Sequence, residues 1–206
     1  MTKRHNCKFA LSRRIGQSLW GSAKDPVHKR NYPSGQHGPV MGRKKRVGYG
    51  EQLESTQVLR GYYGNITKKQ FTRIVKEAMR RRGDSTENLI GLLESRLDAV
   101  VYRAKFASTP FAARQLINHK HIMVNGKVVN IASYRLRPGD VVEIRTKSRE
   151  MVVIAESLAS GERNVPEYIS AEPEKMRAEY IRIPVLADVP YPVEMKPSMI
   201  IGFFSR

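Results

Sequence analysis

Apolar residues recur along the chain with two different periods, and the change of period marks its organisation. Phe71, Ile74, Val75 and Ala78 share one side of a helix at about 100° per residue, with Lys69, Arg73, Lys76 and Arg80 in a narrow arc on the far side. Leu97, Val100, Val101 and Ala104 repeat the helical spacing and set Asp98, Tyr102 and Lys105 on the other face. A further helix is predicted from Thr109 and Pro110, an N-cap hydroxyl followed by a first-turn residue whose missing N–H costs nothing. Its Ala113, Leu116 and Ile117 leave Arg114, Gln115 and Asn118 on the opposite side, free for a partner. The period then drops to two. Ile122, Val124 and Val128 alternate with polar residues around Asn125-Gly126, the dipeptide that best tolerates the positive φ of a type I′ turn. Pro138-Gly-Asp140 predicts a second turn before a strand at Val141-Val-Glu-Ile144, so helix, hairpin and returning strand close a small α/β module of about sixty residues.

Charge says what such a module touches. The chain carries 37 Lys and Arg against 19 Asp and Glu, a net of +18, with a pI of about 10.3. This balance points to a polyanion. No run of eighteen apolar residues and no apolar leader after Met1-Thr-Lys-Arg-His-Asn is present, so neither a membrane span nor a signal peptide is expected, and the cytosol is the default. The charge is uneven along the chain. Residues 1–50 hold twelve basic side chains and one acidic, with frequent Pro and Gly and no sustained periodicity, so this arm is expected to be irregular until bound. Residues 95–150 carry eleven basic against four acidic, whereas 151–206 carry six against eight, which implies a different partner for the tail.

Candidate chemistry is that of binding rather than catalysis. A single cysteine, Cys7, excludes an internal disulfide and a multi-cysteine zinc site, and the five histidines include no metal-ligand pair on one helix face. No phosphate-binding glycine loop, metalloprotease helix or nucleophile elbow occurs, so neither cofactor nor small-molecule substrate is expected. The basic stripe Lys69, Arg73, Lys76, Arg80 continues into Arg81 and Arg82, and only Glu77 compensates it nearby. Repulsion along such a face is relieved by phosphates. Gly42-Arg-Lys-Lys-Arg46 adds a basic run (Arg43, Lys44, Lys45, Arg46) of the kind that matches phosphate, and Tyr32, Tyr49, Tyr62 and Tyr63 are either flat surfaces for unstacked bases or core. Arg114, Gln115, His119, Lys120, Asn125 and Lys127 are expected to line the module's binding edge, with Arg103 and Arg135 nearby, because A-form RNA is read through backbone, hydroxyls and irregular loops.

Several motifs together resemble the bacterial small-subunit ribosomal protein S-four family, nearly end to end. Ser12-Arg-Arg14, Gly35-Gln-His-Gly38, Tyr49-Gly50 with Gln52-Leu53, and Tyr63-Gly64 are similar to its N-terminal motifs. Glu87-Asn-Leu89, Leu92-Leu-Glu94 and Arg96-Leu-Asp98 lead into Val100-Val-Tyr-Arg103. Ala113-Arg-Gln-Leu116, His119-Lys120, Val124-Asn-Gly126, Val129-Asn-Ile131 and Ser133-Tyr134 are similar to the family's RNA-binding module, which the resemblance places at residues 95–157. Departures are Glu54-Ser-Thr-Gln-Val58, where the family has a basic stretch, and Gly202 and Phe204, where an acid and a tyrosine are common.

The resemblance implies an α+β fold: a mainly helical domain built from the N- and C-terminal segments, with a small α/β RNA-binding module inserted. Four segments follow, namely a basic arm (1–50), a helical N-terminal domain (51–94), the module (95–157) and a C-terminal segment (158–206) that packs back on the N-terminal helices through Tyr180-Ile-Arg-Ile-Pro184 and the apolar run at 199–204. It further implies a primary binder of 16S ribosomal RNA at its 5′ domain, within the cytoplasmic small subunit. That protein nucleates assembly of the subunit body and contributes to translational accuracy through protein S-five. Gly35, Gln36, His37 and Gly38 join the RNA-binding set on the same ground. The alternative is a stand-alone RNA-binding module protein acting on ribosomes or structured RNA, which would lack Gly35-Gln-His-Gly38 and the Ser-Arg terminus. An RNA-modifying enzyme would need a catalytic domain for which the chain has no room.

Overall fold

Some helices begin where a side chain satisfies a free N–H group of the first turn. Asp84 accepts from the Thr86 N–H at 2.8 Å and Thr109 from the Ala112 N–H at 3.3 Å, with Pro110 as the first helical residue. The computed structural model describes residues 8–41 and 47–205. They form α1 (Ala10–Ile15), α2 (Gly38–Met41), α3 (Tyr49–Tyr62), α4 (Lys68–Arg80), α5 (Ser85–Glu94), α6 (Leu97–Arg103), α7 (Pro110–Asn118), α8 (Val152–Ala159) and α9 (Pro197–Phe204). Five strands accompany them: β1 (Ile122–Val124), β2 (Lys127–Val128), β3 (Val141–Ile144), β4 (Ile169–Glu172) and β5 (Arg177–Tyr180). The fold is α+β. The chain divides into two units, one running to Thr72 and resuming at Tyr191, the other Arg73–Pro190.

The first unit is helical, and aromatic side chains make its core. Tyr62 stacks edge-on against both Tyr63 and Tyr191, at 5.2 and 5.0 Å between centroids. Trp20 donates its indole N–H to the Tyr62 carbonyl at 3.0 Å, and Phe9 lies against the Trp20 ring at 6.0 Å. The basic arm is therefore not irregular over residues 8–41. It carries α1 and a 3-10 turn at Pro26–His28, and it buries Leu19, Trp20 and Val27. Burial of those apolar side chains outweighs the helix-poor composition. The apolar run near the C-terminus becomes α9, which packs on α3: Phe203 sits 5.5 Å from Tyr49, and Lys196 pairs with Glu51 at 3.1 Å.

The second unit joins α5–α8 to an antiparallel sheet of order β2-β1-β3-β5-β4. Asn125 and Gly126, at φ 50° and 76°, turn β1 into β2, and β1 pairs with β3 through Ile122–Ile144 and Val124–Val142. Alternate residues Ile122, Val124, Val142, Ile144, Ala178 and Tyr180 are buried, so one face of the sheet closes the core. Strands β4 and β5 add to the expected course of the tail. Tyr180 pairs with Ile169 inside this sheet, and Ile183 beyond it lies against Gly91 of α5, a helix of segment 51–94. Segment 158–206 is thus divided, with only its last part in the first unit.

Candidate nucleic-acid interface

Helix α4 keeps its apolar and basic residues on opposite sides. Phe71, Ile74, Val75 and Ala78 are buried, while Lys69, Arg73, Lys76 and Arg80 are exposed, as are Arg81 and Arg82 just beyond the helix. Among the described residues Lys69, Arg73, Lys76, Arg80 and Arg82 form no ion pair. Glu77, at the border of the stripe, is engaged by Arg81 at 2.9 Å and by Arg135, whose two Nη atoms meet its two oxygens at 2.5 and 2.6 Å. The Arg135 hydrogen bonds, aided by Arg81, hold the Glu77 carboxyl below its usual range against the opposing effect of burial. The stripe therefore remains a net cationic surface suited to polyphosphate.

A second basic edge is built by the end of α7. The Lys120 N–H bonds the Ile117 carbonyl at 2.9 Å, and the His121 N–H reaches back to Leu116 at 3.0 Å. This double bond pattern terminates a helix with a left-handed residue, normally glycine. Here that residue is Lys120, at φ +64°. A side chain with a Cβ costs about 1 kcal/mol or more there. Gln115, His119 and Lys120 are exposed, and Lys127 is exposed on the hairpin. His121 is half-buried, its Nδ1 2.8 Å from the Ser148 hydroxyl. Asn125 is exposed too, but its amide braces the hairpin: Nδ2 donates to Asp140 at 2.8 Å, and Oδ1 accepts from the Val141 N–H at 2.8 Å.

Two arginines expected at this edge are internal, which is a correction. Arg103 donates to Glu94 through Nη2 at 2.8 Å and Nε at 3.2 Å, and to the Pro190 carbonyl at 3.2 Å. Glu94 also accepts from the Tyr168 hydroxyl at 2.9 Å. Arg114 donates to Asp98 at 2.8 and 3.1 Å, and Arg96 grips the same carboxylate at 2.7 and 2.9 Å. All five charged groups are buried, Arg103 to 6% and Arg114 to 5% exposure. Buried carboxylates on α5 and α6 demand cations, so the guanidinium groups turn inward. Asp98 and Tyr102, read as outward-facing, are both buried, Asp98 as the shared acceptor of the two arginines. Tyr102 carries the Arg163 guanidinium 4.2 Å above its ring.

In the first unit, Gly35, Gln36 and His37 are exposed and Gly38 is buried. Only glycine fits at Gly38, since a Cβ would lie 1.9 Å from the Pro33 carbonyl oxygen. That loop is fixed by Arg13, which donates to the Tyr32 and Pro33 carbonyls at 3.1 and 3.2 Å and stacks over the Tyr32 ring. Tyr62 and Tyr63 are core rather than platforms for bases, whereas Tyr49 is 62% exposed. Arg60 donates to the Ile66 carbonyl at 3.0 Å, and burial lowers its pKa. The unusual stretch Glu54–Val58 lies on α3, where Thr56 and Val58 are buried. Arg43, Lys44, Lys45 and Arg46 lie outside the described residues.

Sequence reasoning missed Arg145, Lys147 and Arg149. They recur at every second residue through the exposed turn that follows β3, and the Arg145 N–H donates to the His121 carbonyl at 2.8 Å, which brings Arg145 beside the α7 edge. The i, i+2, i+4 spacing of cations past a predicted strand was the available signal. Among the described residues no helix is long and apolar enough to cross a membrane.

Residues 2–94 match the model of the Ribosomal protein S4/S9 N-terminal domain, and residues 95–142 match the S4 domain. The chain is 55% identical to the small ribosomal subunit protein uS4 of Chelativorans sp. (strain BNC1) over 206 residues, covering 100% of both chains. It is 56% identical to those of Rhodospirillum centenum and Phenylobacterium zucineum, again over 206 residues and 100% of each chain. Two adjoining family matches and full-length identity above half leave one assignment: the chain belongs to the uS4 family of small ribosomal subunit proteins.

Proposed function

We propose that the chain is a structural, non-catalytic constituent of the small ribosomal subunit that binds 16S ribosomal RNA directly through its 5′ domain, early enough to nucleate assembly of the subunit body. The observation that carries this reading is the exposed cationic stripe Lys69, Arg73, Lys76, Arg80, which lacks ion-pair partners among the described residues on a helix whose other side is buried. Phosphate neutralisation relieves its self-repulsion and releases counterions. Gln115, His119, Lys120 and Lys127, with Arg145, Lys147 and Arg149, form the second contact edge, and Gly35–His37, with Arg43–Arg46 on the ground of their charge alone, are proposed as further contacts. Asn125 shapes the hairpin that presents Lys127. Contact with protein S-five and an influence on decoding accuracy belong to the same reading, which rests there on family membership.

Co-sedimentation of the purified chain with protein-free 16S ribosomal RNA tests primary binding. Stoichiometric retention without any other protein is expected. Retention that requires other subunit proteins to be bound beforehand would refute it.

A further inference from the structure

Glu77 is the acidic residue beside the cationic stripe, and its geometry is unlike that of a group merely left there. Its Oε1 accepts from Arg81 at 2.9 Å and from Arg135 at 2.5 Å, while Oε2 accepts from the second Nη of Arg135 at 2.6 Å. One carboxylate thus draws two guanidinium groups to within hydrogen-bond range of the same oxygen. The pair carries two positive charges against one negative, and the side chains keep 45%, 42% and 31% exposure for Arg81, Arg135 and Glu77. Two like charges held this close at a wet surface retain a strong demand for a second anion.

The backbone beneath them is fixed. Leu97 N–H donates to the Tyr134 carbonyl and Leu136 N–H to the Ser95 carbonyl, both at 2.8 Å, so Arg135 stands on a strand-like segment locked on either side. Arg81 follows directly on α4, its N–H bonding back to the Glu77 carbonyl at 3.2 Å. Each guanidinium has five N–H donors. Glu77 engages two from Arg135 and one from Arg81, and among the described residues the remainder have no protein acceptor. The unengaged donors are planar forks of the kind that grip a phosphate bidentately.

We propose that Arg81, Glu77 and Arg135 form a preorganised seat for one backbone phosphate of RNA, in which the two arginines make the contact and Glu77 is a positioning residue that holds them together. The proposal rests on the RNA-binding function proposed above and names a specific phosphate contact within it. By charge count alone, removing an acid from an RNA-binding surface tightens binding. A positioning role predicts the opposite sign.

Titration of the full chain against the 5′ domain of small-subunit ribosomal RNA at several salt concentrations tests this with Glu77→Gln and Arg135→Lys. Glu77→Gln is expected to weaken binding about fivefold or more, although it raises the net charge, because both forks lose their common anchor. Arg135→Lys, which keeps the charge and loses the fork, is expected to weaken binding by a similar factor. Circular dichroism confirms that both variants are folded. Unchanged or tighter binding by Glu77→Gln, or wild-type affinity in Arg135→Lys, overturns the seat while leaving RNA binding by the chain intact. A wild-type chain with no preference for this RNA overturns the function and the seat together.

Discussion

Arg103→Met separates a structural arginine from an RNA-binding one. The substitution keeps most of the apolar stem and removes the guanidinium that donates to Glu94 at 2.8 and 3.2 Å. Glu94 is 0% exposed and Arg103 is 6% exposed, so the variant leaves a buried carboxylate without its cation. Breaking such a pair costs about 3–5 kcal/mol, because the surviving charge keeps its desolvation penalty. In a chain of this size that lowers Tm by roughly 10 °C. The assay is a thermal melt followed by circular dichroism, run beside Glu94→Gln and the double variant. Removing both charges eliminates the stranded carboxylate, so the double variant melts above Arg103→Met, and the two substitutions are strongly non-additive. Folded Arg103→Met retains the salt dependence of RNA binding seen in wild type. If instead it melts like wild type while the salt slope falls by roughly 0.7–0.9, the value for one lost phosphate contact, Arg103 faces RNA and the reasoning is wrong.

Three further outcomes are expected. The triple variant Arg73→Ala, Lys76→Ala, Arg80→Ala keeps its melting temperature to within a few degrees but flattens the plot of log Kd against log salt by roughly two units; a parallel plot would show these cations to be spectators. Lys120→Gly gains about 1 kcal/mol of stability in urea by relieving the left-handed backbone, yet binds ribosomal RNA more weakly. Equal affinity would remove Lys120 from the interface. Burial pushes the Tyr180 hydroxyl up to about 12, with the hydrogen bond to Ser95 opposing and the charge of Glu94 reinforcing the shift. A raised folded value means that the stabilisation is fully present below pH 10 and is lost as pH climbs through about 12. Ultraviolet titration is expected to show Tyr180 ionising only as the protein unfolds, and an unchanged titration curve in a Tyr180→Phe variant would contradict its burial.

The elements that sequence revealed were those with strong local signals. Thr109-Pro110 starts α7 and Asn125-Gly126 turns the hairpin, since capping and positive-φ chemistry are set within a few residues. Strands β4 and β5 escaped because Ile169–Glu172 and Arg177–Tyr180 are short and polar on alternate positions, within a segment read mainly for its acids. Their pairing with β3 is a long-range event that no local pattern encodes. The arm was judged by its charge and glycine content, which concealed the burial of Leu19, Trp20 and Val27.

Within the candidate site, helical spacing separated the α4 stripe from its buried face correctly, because all its apolar residues fall on one arc. The same reasoning placed Arg114 and Arg103 outside. It failed there because charge was equated with exposure, and the buried partners Asp98 and Glu94 lie 16 and 9 residues away in sequence. Glu77 was legible as a lone acid in a basic stretch, but its engagement by Arg135, 58 residues distant, was not.

On the proposed function, the exposed cations read a specific ribosomal RNA and not polyanions in general. This is tested most directly by titrating the chain against the 5′ domain of small-subunit ribosomal RNA with excess transfer RNA and duplex DNA as competitors, over a range of salt. Binding to ribosomal RNA is expected to survive both competitors and to weaken linearly in log salt. Equal affinity for all three nucleic acids would contradict it.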